Sequence, residues 1–233
     1  MDETRTEIRI SVRALVEFIL REGDLDNRTT GKTDLTAMQA GGRLHRKIQK
    51  RMGAGYRAEV PLKIKVSMGN FDCLIEGRAD GIFQKKEEIW IDEIKGVYRD
   101  LKLIEEPVGV HLAQALCYAY IYGKQNNQRE MGIQLTYGNL ETEELKYFRQ
   151  TRSMEELEKW FAGLMKEYEK WADFQFEWKK IRKDSIRPLE FPFPYREGQR
   201  DLAAGVYRTI ARKKRLFIPV SYTHLRAHET AAN

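Results

Sequence analysis

The chain predicts an α/β fold, a mixed central sheet flanked by helices with a helical remnant at the C-terminus. Apolar residues recur at helical spacing near the N-terminus and again from Val110, alternating runs lie between them, and the order helix, meander, helix, strand is that of an α/β sandwich. Residues 7–10 alternate as a short strand. Ser11 then caps a helix over Val12 to Arg21, with Leu15, Phe18 and Ile19 on one apolar face. A polar loop from Gly23 to Lys32 leads into a second helix, Asp34 to Met52. Alternating runs at 56–66, 71–76, 79–84 and 88–95, separated by Gly69-Asn70 and Lys85-Lys86-Glu87, predict an antiparallel meander. A helix from Val110 to Tyr122, strands near 131–137 and 143–149, and a long helix from Ser153 to about Lys180 follow. Glu156, three residues after Ser153, completes a capping-box pattern at the start of that helix.

The 233 residues suffice for one good-sized domain and a further piece. An ordinary apolar fraction of 42% and a charged fraction of 33% exclude a collagenous or disulfide-stapled class. A formal charge of +6 suits a polyanionic partner without demanding one. Two cysteines, Cys73 and Cys117, cannot by themselves supply a four-thiolate iron–sulfur site. With no signal-like apolar run at the N-terminus, the expected setting is reducing and cytoplasmic, with both thiols buried. No run of apolar residues is long enough to span a membrane.

Composition divides the chain further. A main domain is expected over residues 1–180. Residues 181–194, where Pro188, Pro192 and Pro194 interrupt a basic and aromatic stretch, read as a linker. A helical pattern resumes over 195–218 and ends in Arg212 to Arg215 and Leu216-Phe217-Ile218. Residues 219–233 resemble a translated sequencing adapter, so His224 and His228 are set aside despite their helical spacing. Gly31-Lys32-Thr33 mimics the end of a phosphate-binding loop, but Asp26 stands where that loop needs its first glycine.

The chemistry gathers on a few residues. Asp80 and, at strand distance, Glu93-Ile94-Lys95 supply two carboxylates and an ammonium. That is the minimum to hold a divalent metal beside a phosphate and activate a water. In a strand Glu93 and Lys95 share a face while Ile94 points the other way, into the core. Asp92 lies on the face opposite Lys95 and does not replace Glu93. Gln114 and Tyr118 share a helix face one turn apart, and His111 is one turn earlier as a neighbour of the site. Taken alone, Asp80-Gly81 is a common strand ending, and Glu93 with Lys95 is a possible surface charge pair. The aromatic run from Trp160 to Trp178 reads as core or interface rather than as a base-stacking platform.

With those residues in place, the chain resembles the RecB-type branch of the PD-(D/E)XK nucleases over about residues 1–150. Gly41 to His45 fits the GxxxH motif, Gly77 to Asp80 fits GxxD, Glu93 to Lys95 fits (D/E)xK and Gln114 to Tyr118 fits QxxxY. Glu59 matches an acidic position that opens the first sheet strand in that family. The resemblance implies a restriction-endonuclease-like fold and a metal-dependent DNA nuclease, an exonuclease on single-stranded or unwound DNA. It further implies catalytic roles for Asp80, Glu93, Lys95, Gln114 and Tyr118. His45, Asp80, Glu93 and the Ile94 carbonyl would bind Mg²⁺ or Mn²⁺, with Glu59 and His111 in support. The family's four-cysteine iron–sulfur cluster has no counterpart in this chain. Phe193 to Arg200 resembles the opening of a DinG/XPD-like superfamily 2 helicase, with Gln199 at the nucleotide-recognition position and Leu216 to Ile218 as the strand before the phosphate loop. The implied whole is a DNA-repair helicase–nuclease truncated before its ATP site, whose missing helicase domain is a covalent partner. The alternative is a nuclease-fold module that binds DNA or scaffolds the helicase without cutting.

Overall fold

In the computed structural model, residues 5–22, 33–190 and 192–218 are described, the side chains of 33–37 excepted. The expected loop Gly23–Lys32 and the adapter-like residues 219–233 lie outside them. The chain divides into two units, Met1–Arg182 and Lys183–Asn233.

Unit 1 is built on a six-stranded sheet. The elements are β1 (Thr6–Ser11), α1 (Val12–Leu20), α2 (Thr33–Arg51), β2 (Tyr56–Met68), β3 (Phe71–Lys85), β4 (Glu88–Val97), α3 (Gly109–Gln125), β5 (Glu130–Asn139), β6 (Leu145–Ser153) and α4 (Met154–Ile186), whose residues to Arg182 belong to this unit. The strands run in the order β1-β3-β4-β5-β6, with β2 paired to β3. Pairing is parallel for β1 with β3 and for β4 with β5, and antiparallel elsewhere. The sheet is therefore mixed, as the sequence predicts.

Two cores hold helices against it. The larger joins Val12, Leu15 and Val16 of α1, Ala113 to Ile121 of α3 and Leu157 to Ala172 of α4 to Ile75, Ile91, Ile133 and Leu135 of the sheet. Cys73 and Cys117 are buried in this core, where desolvation pushes both thiols up. The smaller core seats Leu44 and Ile48 of α2 on Ile94. Period-two alternation along β4 divides the faces: Ile91 enters the larger core and Ile94 the smaller. Both expected caps form. The Ser11 hydroxyl accepts from Ala14 N at 3.1 Å. Ser153 and Glu156 exchange bonds of 2.9 and 3.2 Å, the reciprocal capping box.

Several boundaries differ from expectation: β6 runs on to Ser153, α3 runs on to Gln125, and two further differences have a clear physical cause. The runs at 71–76 and 79–84 are halves of one strand, β3. Its core-facing residues are Phe71, Cys73, Ile75 and Ala79, and then Ile82. The alternation slips by one at Asp80-Gly81, and that slip imitates a strand break. Helix α4 continues through Ile186 rather than ending near Lys180. Lys179, Lys180, Arg182 and Lys183 are good helix formers, and the helix yields only ahead of Pro188, which disfavours helical backbone at Arg187.

In unit 2, Gly198 at φ 73 precedes α5 (Gln199–Ala211), which buries no residue. The backbone N–H of Arg196 donates to Gln199 Oε1 at 3.0 Å, closing the turn that starts the helix. Leu216 to Ile218 form no strand, since an extended segment without a partner edge has nowhere to place its backbone hydrogen bonds. Among the described residues no helix is long and apolar enough to cross a membrane.

Candidate active site

The site forms where the sheet forks. One edge of β3 is taken by β2 along most of its length. The other edge pairs with β1 from Phe71 to Glu76 and with β4 from Gly81 to Lys85. Gly77 to Asp80 lie in the gap between those two partners. The β2 ladder also breaks there: Ala58 pairs with Gly81 and Val60 with Ala79, but Glu59 and Asp80 between them do not pair. Glu59 takes φ 57, the left-handed region that side chains seldom adopt. Asp80 is thus released from both ladders. Its carbonyl accepts instead from Gln49 Nε2 of α2 at 3.0 Å, and its Oδ2 accepts from the Ile94 backbone N–H across the fork at 2.8 Å. The carboxylate is fixed to the strand that carries Glu93 and Lys95.

Glu93 is 3% exposed. Its Oε1 meets Lys95 Nζ at 2.8 Å, and its Oε2 is buried with no hydrogen-bond partner. Burial pushes the Glu93 carboxyl well above the usual range, with the neighbouring Asp80 charge adding to it and Lys95 opposing. Lys95 also donates to Gln114 Oε1 on α3 at 2.8 Å. Two of its three N–H groups are therefore engaged, and the side chain keeps 22% of its surface open. His45 comes from α2, its Nδ1 3.5 Å from Asp80 Oδ1. Helix α2 thus brings His45 and Gln49, one turn apart, to the same aspartate.

Tyr118 packs its ring edge and hydroxyl over Gly77. A Cβ at Gly77 would lie 2.7 Å from the tyrosine oxygen, so glycine there is a packing requirement. Burial, and then the Glu93 charge, raise the Tyr118 hydroxyl pKa. His111 Nδ1 lies 2.9 Å from the Tyr137 hydroxyl. Burial and Lys95 hold the His111 imidazole down at about 4, so it is neutral at physiological pH. Glu59 faces Arg78 at 2.6 Å and Gln49 at 3.1 Å, and reaches Asp80 only through that glutamine. Gln199 belongs to the other unit and is described with it. The structure therefore brings His45, Asp80, Glu93, Lys95 and Gln114 together at the fork, with Tyr118 and His111 behind them.

Gln49, Tyr56, Thr136, Gln134 and Arg13 join the site without a signal singled out in the sequence, and Asp92 takes the opposite face expected of it. Gln49 was findable as the residue one helical turn after His45. Asp92, fully buried, accepts from Tyr56 at 3.0 Å and from Thr136 at 2.6 Å. Thr136 in turn accepts from Gln134 at 3.1 Å. Tyr56 lies so close over Gly81 that no Cβ fits there. This network clamps β2, β4 and β5 on the face opposite Glu93. Arg13 of α1, paired with Glu17 at 2.7 Å, lies within the electrostatic reach of Glu93 and His111.

Among the described residues no three His, Cys, Asp or Glu side chains close into a ready cage for a metal ion. The donors present nonetheless fit a hard divalent cation that keeps part of its water shell: two carboxylates, one with a buried oxygen lacking any partner, and an imidazole beside them.

No protein-family model matches the sequence, and no curated protein matches it. Among solved structures the chain is similar to the crystal structure of SSO0001, with TM-score 0.48 and 19% identity over 75% of this chain and 80% of that one. It is similar also to an alkaline exonuclease, LHK-Exo, from Laribacter hongkongensis, with TM-score 0.47 and 13% identity over 78% of this chain and 95% of that one. Against LHK-Exo in complex with dAMP the TM-score is 0.49, at 13% identity over 77% and 94% of the two chains.

Proposed function

We propose that the chain is a metal-dependent deoxyribonuclease of the restriction-endonuclease-like kind, an exonuclease acting on single-stranded or unwound DNA. The observation that carries this reading is the buried, unpartnered Glu93 Oε2 beside Asp80 and Lys95. Leaving a carboxylate oxygen in that condition is costly, and a divalent cation at the fork removes the cost. Asp80, Glu93 and the Ile94 carbonyl are the proposed ligands for Mg²⁺ or Mn²⁺, with His45 completing the set. Such an ion supplies a bound water of lowered pKa and neutralises charge on the phosphate.

The chain's own groups do the rest. Asp80 is held by the Ile94 amide, so its other oxygen stays directed toward His45 and the open side. Lys95, anchored by Glu93 and Gln114, has one N–H left to orient the attacking water or to steady charge developing on the phosphate. Gln114 is 4% exposed and acts through Lys95. His111 supports the packing around Tyr137 as a neutral ring. The helicase context, with Gln199 as a nucleotide contact and a helicase domain beyond, rests on the resemblance at Phe193 to Arg200.

The test is cleavage of end-labelled single- and double-stranded DNA by the full chain in Mn²⁺, Mg²⁺ or EDTA, beside Lys95→Ala. Metal-dependent products that disappear in the variant support the nuclease. DNA that is bound but stays uncut in every metal supports a binding module of the same fold.

A further inference from the structure

Gly41 and Gly42 stand inside α2, one turn before His45. Glycine in a helix interior lowers stability relative to alanine, because its backbone has the most freedom to lose. Packing does not require either residue. A Cβ at Gly41 would meet nothing within 4 Å, and one at Gly42 only the Arg46 guanidinium at 3.5 Å, an ordinary contact. The contrast with Gly77, Gly81 and Gly132 is plain, since each of those lies under an aromatic ring. Among the described residues the space over Gly41 and Gly42 is open.

What surrounds that space says what it takes. A shallow groove of about 350 Å³ lies over Gly42, lined by Met38, Gln39, Arg43 and Arg46. On the same helix Lys47 and Arg51 meet Glu143. Arg43, Arg46 and Lys50 pair with no described carboxylate, and their three- and four-residue spacing puts them on one side of α2. From Arg43 to Lys50 the helix rises about 10 Å at 1.5 Å per residue, a basic track rather than a point charge. The helix that bears this track also delivers His45 to Asp80, beside the buried oxygen of Glu93 that lacks a partner. A row of cations without a described carboxylate partner therefore runs alongside the buried, unpartnered oxygen of Glu93.

We propose that this groove seats the sugar–phosphate backbone of the DNA strand next to the nucleotide held at Asp80 and Glu93. Gly41 and Gly42 let the strand approach the helix backbone, and Arg43 and Arg46 pair with its phosphates. The inference rests on the nuclease reading and extends it to a substrate-binding surface.

The experiment compares the full chain with Gly42→Ala, Arg43→Gln and Arg46→Gln. It measures melting temperature and equilibrium binding of a fluorescent single-stranded oligonucleotide in EDTA and in Ca²⁺, across a salt series. Gly42→Ala is expected to melt about 2–4 °C higher and to bind the oligonucleotide at least about fivefold more weakly. Each arginine variant is expected to flatten the slope of log affinity against log salt by about 0.7. A lower melting temperature for Gly42→Ala would mark a packing glycine and overturn the proposal. So would unchanged affinity and salt slopes in all three variants while the unsubstituted chain binds and cuts DNA; that result removes the groove alone. An unsubstituted chain that neither binds nor cuts DNA removes the nuclease reading as well.

Discussion

Glu93 carries a conflict between stability and chemistry. Its side chain is buried, one oxygen has no partner, and Asp80 is the neighbouring charge. In Glu93→Gln the charge, its burial and its repulsion by Asp80 disappear while the shape is kept, and these gains are set against the ion pair to Lys95, which weakens to a hydrogen bond. Without metal this variant is expected to be more stable than the native chain by about 1–3 kcal/mol, a rise in melting temperature of several degrees. Mn²⁺ should raise the melting temperature of the native chain and leave the variant's unmoved, and cleavage should be lost. Thermal scans in EDTA and in Mn²⁺ check all of this, and a less stable variant would count against an unsatisfied carboxylate. His111 gives a second outcome at this scale. Its folded pKa lies near 4, below the unfolded value of 6.5, so the unfolded chain binds more protons between those values. Its share of stability is full above about pH 6.5 and is lost as pH falls through 4. His111→Gln should lose less melting temperature than the native chain between pH 6.5 and 4.5. At the residue scale much of the candidate site was legible, because strand and helix spacing already put Glu93 with Lys95 and Gln114 with Tyr118. Gln49 and the partners of Asp92, Tyr56 and Thr136, were not, since those roles depend on which strand or helix lies opposite.

The element on which the site depends is β3, which serves two neighbours on one edge and slips phase between them. Sequence periodicity recorded the slip faithfully but as a break, because alternation alone cannot distinguish a phase change inside a strand from a turn between two. The structure shows why the irregularity sits there. Asp80 lies between the stretches of β3 that pair with β1 and β4, its carboxylate accepts from the Ile94 amide, and Glu59 opposite takes φ 57 where the β2 ladder opens. Glu59→Gly and Glu59→Ala both remove the contacts to Arg78 and Gln49, so comparing them isolates the backbone term. The glycine variant is expected to be the more stable by about 1–2 kcal/mol, as measured by urea unfolding. Equal stabilities would mean that the left-handed turn at Glu59 relaxes without cost. The same reasoning explains the misplaced end of α4. Composition changed at Ile181, but a helix answers to its backbone, and the first residue to oppose helical backbone is Pro188.

At the scale of the whole molecule the two units differ in what they bury. Unit 1 contains both hydrophobic cores, with the site at the fork of its sheet. Helix α5 of unit 2 buries none of its residues, and Leu202, Val206, Tyr207 and Ile210 are exposed along it. A 13-residue helix without a packed face is marginal in water, because nucleation costs more than so few hydrogen bonds return. The stability of the chain should therefore reside in residues up to the end of α4. A chain ending at Arg187 is expected to melt within about 2 °C of the full chain, in a single transition. It should also cleave DNA in Mn²⁺ at a similar rate, since every residue assigned to the site precedes that point. Circular dichroism and calorimetry on the two chains decide the matter. A melting temperature many degrees lower, or loss of cleavage in the shorter chain, would mean that the C-terminal residues complete the domain and would place the functional boundary beyond Arg187.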